Sequence, residues 1–187
     1  MAEAPFPVEE WLTTLALYLP VDLGIDYASG WEALIAWRES FDVFCPGCGR
    51  HATFRGALLE SQDESRKKKN LFTANDLSGR GLSESHEKMA FCTREAAHRF
   101  YFYFRLEGTL LLKVGQFPSL ADILVGQSSE AVRALGADTA ADFNRAIGLA
   151  AHGVGAGSIV YLRRIFETLV EDAHLAAKDD QGWDEVA

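Results

Sequence analysis

The sequence predicts an α+β fold in which β-hairpins are flanked by N-terminal helices and followed by a C-terminal helical bundle. Three observations predict it. All three cysteines fall in two short pieces, Phe41–Gly49 and Phe91–His98, with Cys45 and Cys48 at Cys-x-x-Cys spacing. Aromatic and aliphatic residues crowd both sides of the turn at Glu107-Gly108, from Arg99 to Leu106 and from Thr109 to Val114, as in a hairpin. From Ser158 to about Lys178, apolar residues recur with helical period.

The cysteine pieces carry the chemistry. Pro46 and Gly47 lie between the first two cysteines, and Gly49 follows. That is the form of a knuckle, a tight turn that aims two thiolates at one point while backbone N–H groups face the sulfurs. Four ligands close a tetrahedral structural zinc site, and three cysteines with one histidine are a common set. Zinc prefers thiolate and imidazole and needs no redox partner. Cys92 and His98 are the natural second pair. His51 and His86 compete for the fourth place, and His98 ranks first because it immediately precedes a strand. Phe41–Phe44 and Ala52–Arg55 read as the strands around the first knuckle. Strands carrying paired ligands describe zinc-ribbon β-hairpins over residues 41–116, with Zn2+ as a structural cofactor. Two alternatives compete. A redox Cys-x-x-Cys should open a helix in a βαβ unit, whereas here a glycine and a strand follow. Three unconnected core thiols are the other.

Composition sets bounds. A chain of 187 residues holds one ordinary domain, or a small ribbon plus a helical module. Its 48% hydrophobic and 24% charged residues are those of a globular protein. No apolar run is long enough to span a membrane, and Met1–Pro5 does not open a secretory signal. Few cysteines, in metal-site spacing, suit a reducing cytoplasm. The net charge of −9 opposes broad non-specific nucleic-acid binding and leaves room for a local basic site.

Taken in order, residues 1–40 read as a helical cap. Val8–Leu19 follows Pro7, places Glu9 and Glu10 in the first turn, aligns Trp11, Leu12, Leu15 and Leu19 on one face, and ends at Pro20. A second helix begins at Ser29, where Ser29-Gly30-Trp31-Glu32 is a capping box, and runs to about Glu39. Its Trp31 and Trp37 read as packing on the ribbon. Residues 60–88 are polar and aperiodic, which predicts a long loop. That loop holds Arg66, Lys67, Lys68 and Lys69, either a solvated tip or a contact to nucleic-acid phosphates.

The region 119–178 reads as a helical domain. Ser119-Leu120-Ala121-Asp122 is a capping box for Leu120–Leu124. Ser129–Leu135 follows, with Gly136 as a stop. Asp138 then caps Thr139–Ala151, with Phe143, Ile147 and Ala150 on one side. The glycine-rich His152–Gly157 follows a helix rather than a strand, so it reads as a close helix junction and not a nucleotide loop. On the last helix, Ile159, Leu162, Phe166, Leu169, Val170 and Ala173 form one stripe. Arg163 stands beside it, four residues before Glu167, which predicts a partly buried structural pair. Arg164, on the next face, is a candidate contact to a partner or to nucleic acid. Residues 179–187 form an acidic tail.

The Cys-x-x-Cys with its distant Cys and His, the phrase Lys113-Val114-Gly115-Gln116-Phe117-Pro118-Ser119 and the final Tyr161-Leu162-Arg163-Arg164-Ile165-Phe166-Glu167 resemble a set of uncharacterised bacterial proteins with a zinc-ribbon head and a small helical domain. The helical part is similar to outlying members of the HEPN superfamily, which recur in toxin–antitoxin and phage-defence settings. Catalytic members resemble one another in an Arg-x4–6-His motif. Here Arg164 and His174 have nine residues between them, and Arg94 and His98 have three. The resemblance therefore implies a HEPN-like scaffold without the ribonuclease site.

Three classes of function fit. The first is a zinc-stabilised, non-catalytic module that docks another protein. The second is a nucleic-acid binder in which residues 66–69 contact phosphate and Tyr101 or Tyr103 stack on bases. The third is a hydrolase, such as a degenerate HEPN-like ribonuclease. No nucleophile elbow, second metal cluster or motif-placed carboxylate pair supports it, and no catalytic residue is assigned.

Overall fold

The computed structural model describes residues 6–57 and 83–179. Its centre is a six-stranded antiparallel sheet in the order β1-β6-β5-β4-β3-β2. The strands are β1 (Val21–Asp22), β2 (Ser40–Cys45), β3 (Arg50–Ala57), β4 (Ser83–Cys92), β5 (Arg99–Glu107) and β6 (Leu110–Phe117). The two expected hairpins, β2–β3 and β5–β6, thus lie in one sheet, bridged by β4, which pairs with β3 on one side and β5 on the other. Alternation along the strands explains the layering. Phe41, Val43 and Cys45 of β2, and Phe100, Phe102, Phe104 and Leu106 of β5, are buried while their neighbours are more exposed. Period-two alternation is the mark of a sheet with one packed face.

Two N-terminal helices supply residues to the core on that face: α1 (Val8–Thr13) and α2 (Tyr27–Ala36). Val8, Trp11, Leu12, Trp31, Leu34 and Trp37 join the strand residues in one hydrophobic cluster. Within it a run of rings leads from Phe41 to Phe54 (5.8 Å between centroids) and on to Phe100 (4.3 Å). Each such pair adds about 0.5–1.5 kcal/mol beyond its area.

Before residue 89, local expectations are corrected in four places. The first helix stops at Thr13 rather than Leu19, because the following backbone bonds elsewhere. Thr13 and Thr14 turn their hydroxyls back onto the carbonyls of Glu9 and Glu10, the Leu17 N–H donates to Ala151, and the Tyr18 N–H donates to Lys113. The second helix starts at Tyr27, behind a 3-10 turn at Gly24–Asp26, so Ser29 lies inside it and caps nothing. The strand β1 had no sequence signal; it is two residues held by Leu110 and Leu111.

The fourth correction concerns the expected loop at 60–88. Its last six residues form the first half of β4, paired with β5. Lys88 there is buried, and its ammonium donates to the carbonyls of Ile35 and Trp37, beside Arg38, which caps the same two. Cations at a helix C-terminus complement its dipole and fill orphan carbonyls. The basic run Arg66–Lys69 lies outside the described residues.

Beyond the sheet come α3 (Leu120–Gln127), α4 (Ser129–Ala134), α5 (Ala137–Ala151) and α6 (Gly155–Asp179). The box at Ser119 forms as expected: Ser119 Oγ accepts from the Asp122 N–H, and the Asp122 carboxylate accepts from the Ser119 N–H. Gly136 takes the N-cap position of α5, and Asp138 sits in its first turn without capping it. The inner face of α5 is rotated from the expected one, with Asp142, Ala146 and Ala151 buried and Ala150 exposed. The glycine-rich junction does permit close packing, since a Cβ on Gly157 would lie 3.1 Å from Leu149.

The largest departure is on α6. Its 25 residues pack on α5 with Ser158 and Ile165 buried, and the predicted apolar stripe is exposed. Arg163 follows the stripe outward. Its pair with Glu167 forms at 2.7 Å with the arginine side chain 77% exposed, so the expected partial burial does not occur. The carboxylate that is sheltered is Asp142, held by Arg145 at 2.8 Å and by Arg164 at 3.3 Å across the α5–α6 contact. Exposed pairs contribute at most about 1 kcal/mol. Arg163→Ala is therefore expected to leave the melting temperature nearly unchanged. Arg164→Ala should lower it slightly, and the double variant Arg145→Ala/Arg164→Ala should cost about 1–3 kcal/mol by stranding a sheltered carboxylate. Thermal melts showing Arg163→Ala as the most damaging of the three would contradict this order.

Candidate metal centre

Cys45, Cys48, Cys92 and His98 come together at one end of the sheet. Each offers one ligand atom, and all four atoms lie within 4.8 Å of one another. Two turns build the cluster. After β2 the chain reverses at Pro46-Gly47-Cys48-Gly49, with the N–H groups of Cys48 and Gly49 both on the Cys45 carbonyl. Gly49 takes φ +64°, a conformation that glycine adopts without strain. The Cys48 N–H also points at Cys45 Sγ, 3.4 Å away, as a knuckle requires. The second turn joins β4 to β5. Cys92 ends one strand, its N–H donates to the His98 carbonyl, and Arg99 starts the next.

The two turns meet because Phe54 pairs with Cys92 in the sheet and the Thr93 N–H donates to Thr53. His98 Nδ1 then lies 3.3 Å from Cys48 Sγ and 3.6 Å from Cys45 Sγ, and Cys48 Sγ is 3.9 Å from Cys92 Sγ. No disulfide joins the last two, since bonded sulfurs sit about 2.05 Å apart. The rival histidines are engaged elsewhere: His51 packs edge-on against Phe44, and His86 against Trp31.

The electrostatics fit a cation. Burial first, and the neighbouring sulfurs after it, push the Cys48 thiol up to about 11. Burial also raises Cys92, yet N–H groups of Arg94 and Glu95 and the other two sulfurs hold its thiol below the ordinary value. Three crowded sulfurs repel one another as thiolates. A bound divalent ion removes that conflict and deprotonates its ligands outright.

Gly47 is the residue that sequence reading undervalued. A Cβ there would fall 2.6 Å from the His98 ring, so the imidazole lies flat on a bare backbone. Its signal was the glycine within Cys-Pro-Gly-Cys. Gly47→Ala is expected to displace the ring and weaken metal affinity about 10–100-fold, the range seen when the support of a ligand is lost. A chelator competition showing unchanged affinity would refute that role. Beside the cluster, Pro46, Gly47, His98, Tyr101, Phe117 and Pro118 line a shallow cavity of about 260 Å3.

Elsewhere, Tyr103 is 42% exposed and donates to Glu87. Arg164 belongs to the α5–α6 contact. No helix among the described residues is long and apolar enough to cross a membrane. Compared with protein families, with curated proteins and with solved structures, the chain matches none.

Proposed function

We propose that this chain is a zinc-stabilised, non-catalytic interaction module, in which the metal locks one end of the sheet and the helical part docks a protein. Zinc suits the donor geometry. With Zn–S of about 2.3 Å and Zn–N of about 2.0–2.1 Å, a tetrahedron has edges of about 3.8 Å between sulfurs and about 3.6 Å between sulfur and nitrogen. Three of the six separations in the cluster, 3.9, 3.6 and 3.3 Å, sit close to those edges, and all six are within 4.8 Å. Four protein ligands leave no open position for substrate, which is the structural rather than the catalytic type of site. Three cysteines kept as thiols suit a reducing cytoplasm. The HEPN resemblance is consistent with a non-nuclease in a bacterial defence or toxin–antitoxin setting, since Arg164 serves Asp142 rather than a catalytic histidine.

The observation that carries docking is α6 itself. Ile159, Phe166 and Val170 are 65%, 68% and 51% exposed along one helix. Exposed apolar patches of several hundred Å2 mark interaction sites. The test places a photoreactive residue at position 166 in cells and, as a comparison, at Tyr103 on the sheet. Adducts to protein from position 166 are expected. Adducts to nucleic acid alone, or anisotropy titrations in which RNA or DNA binds with steep salt dependence, would replace this reading with nucleic-acid binding. Ribonuclease activity lost in His174→Ala at equal folding would replace it with the nuclease.

A further inference from the structure

The face of α6 has a period finer than amphipathicity demands. Ile159, Leu162, Phe166, Leu169, Ala173 and Ala176 follow one another at spacings of three, four, three, four and three. That is the seam of a coiled coil. All six are exposed in the monomer. The same helix uses a different side, Ser158 and Ile165, against α5. The seam is therefore additional to the fold and not spent in it.

We infer that the occupant of this seam is a second copy of the same chain, with the two α6 helices antiparallel. This rests on the docking reading above and names its partner. Three features single out self-association. The first is size. Large residues fill the N-terminal half of the seam, and alanines fill the C-terminal end. An antiparallel pair pivoting between Glu167 and Thr168 sets Ile159 against Ala176, Leu162 against Ala173, and Phe166 against Leu169 of the second copy. Large then meets small at both ends, as close packing requires. A parallel pair would oppose alanine to alanine at one end and leave a gap.

The second feature is charge. Arg163 lies in the N-terminal half of the helix and Glu171 and Asp172 in the C-terminal half, while Arg164 is held by Asp142 of α5. The antiparallel arrangement brings the basic half of one copy beside the acidic half of the other, whereas a parallel one stacks like on like. The third feature is area. On each copy Ile159, Leu162, Phe166 and Leu169 leave 65%, 45%, 68% and 47% of their surface to be covered, and stable interfaces bury about 1,200–2,000 Å2 in total. With α5 behind each α6, the product is an antiparallel four-helix arrangement.

Sedimentation of the zinc-replete full chain tests this. The expected mass is twice the 20.6 kDa of one chain. Phe166→Glu should reduce it to one chain with an unchanged circular dichroism spectrum, because position 166 is exposed in the monomer. Val160→Glu, which is 58% exposed but lies off the seam, should leave the dimer intact. For orientation, Leu162→Cys and Ala173→Cys should cross-link when the two variants are mixed and not when either is alone. A monomer at all concentrations, or a dimer that survives Phe166→Glu, overturns the inference; cross-linking of each single variant with itself overturns the antiparallel order. If the photoreactive adduct at position 166 has the mass of a different protein, the docking reading stands and the second copy is excluded.

Discussion

Cys48→Ser is expected to release the metal and to remove at least about 4 kcal/mol of stability, the linkage value for a ligand present at a thousand times its dissociation constant. Cys48 and Cys92 stand 44 residues apart, in the two turns that close the same end of the sheet. An ion shared by them would cross-link the β2–β3 turn to the β4–β5 turn. Without it, three sulfurs and an imidazole crowd together with no charge to balance them, and both turns loosen. Binding free energy at such sites is folding free energy. Elemental analysis of the wild type should give one zinc per chain, and EDTA should lower its melting temperature by about as much as Cys48→Ser does. His51→Ala and His86→Ala should keep the full zinc content. A folded wild type with well under one equivalent and three freely reactive thiols would remove the metal from the account.

Lys113→Met is expected to stabilise the protein at pH 6, by about 1–3 kcal/mol, and to bring no gain near pH 10. Lys113 is fully buried on the inner face of β6. Its ammonium donates to the Leu12 carbonyl at 2.7 Å and lies 5.2 Å from the Phe102 ring centre. A buried charge with so little compensation disfavours the protonated form, and burial lowers this group to about 7. An unfolded chain keeps an ordinary lysine near 10.4. Between those values the unfolded state holds more protons, so wild-type stability rises with pH from about 7 to about 10 and is flat below. Methionine carries no such penalty, and the carbonyl it leaves unpaired offsets part of the gain. Chemical denaturation at both pH values checks this. Parallel pH profiles for wild type and variant would show that the ammonium is compensated after all.

The cysteine–histidine cluster was legible because a knuckle is local. Cys45, Pro46, Gly47 and Cys48 write their turn in four residues, and the third cysteine, Cys92, with His98 completes the set. The strands read at Arg99–Leu106 and Thr109–Val114 were legible for the same reason, since aromatic and aliphatic residues around a glycine turn are a short-range signal, and they form as Arg99–Glu107 and Leu110–Phe117. Lysines 88 and 113 were not legible. Nothing in a side chain's identity says that its strand will place an ammonium under the end of a helix, on Ile35 and Trp37 for Lys88 and on Leu12 for Lys113. Burial overrode polarity in both cases, because strand register fixes which face a residue takes.

By itself the sequence determined the α+β class, the two halves of the cysteine–histidine set, the hairpin after His98, and the position and period of the last helix. Each is written in a short piece of the chain. Only the tertiary structure decided that both hairpins share one sheet, that the first helix surrenders its C-terminal half to hydrogen bonds with Lys113 and Ala151, and that the stripe on α6 points to solvent. Hydrophobic period states that a face must be covered, and it carries no information about what covers it. The interior of this chain was already filled by Trp11, Trp31, Trp37 and the Phe41–Phe54–Phe100 run, so the most regular apolar stripe of the sequence was left outside the core.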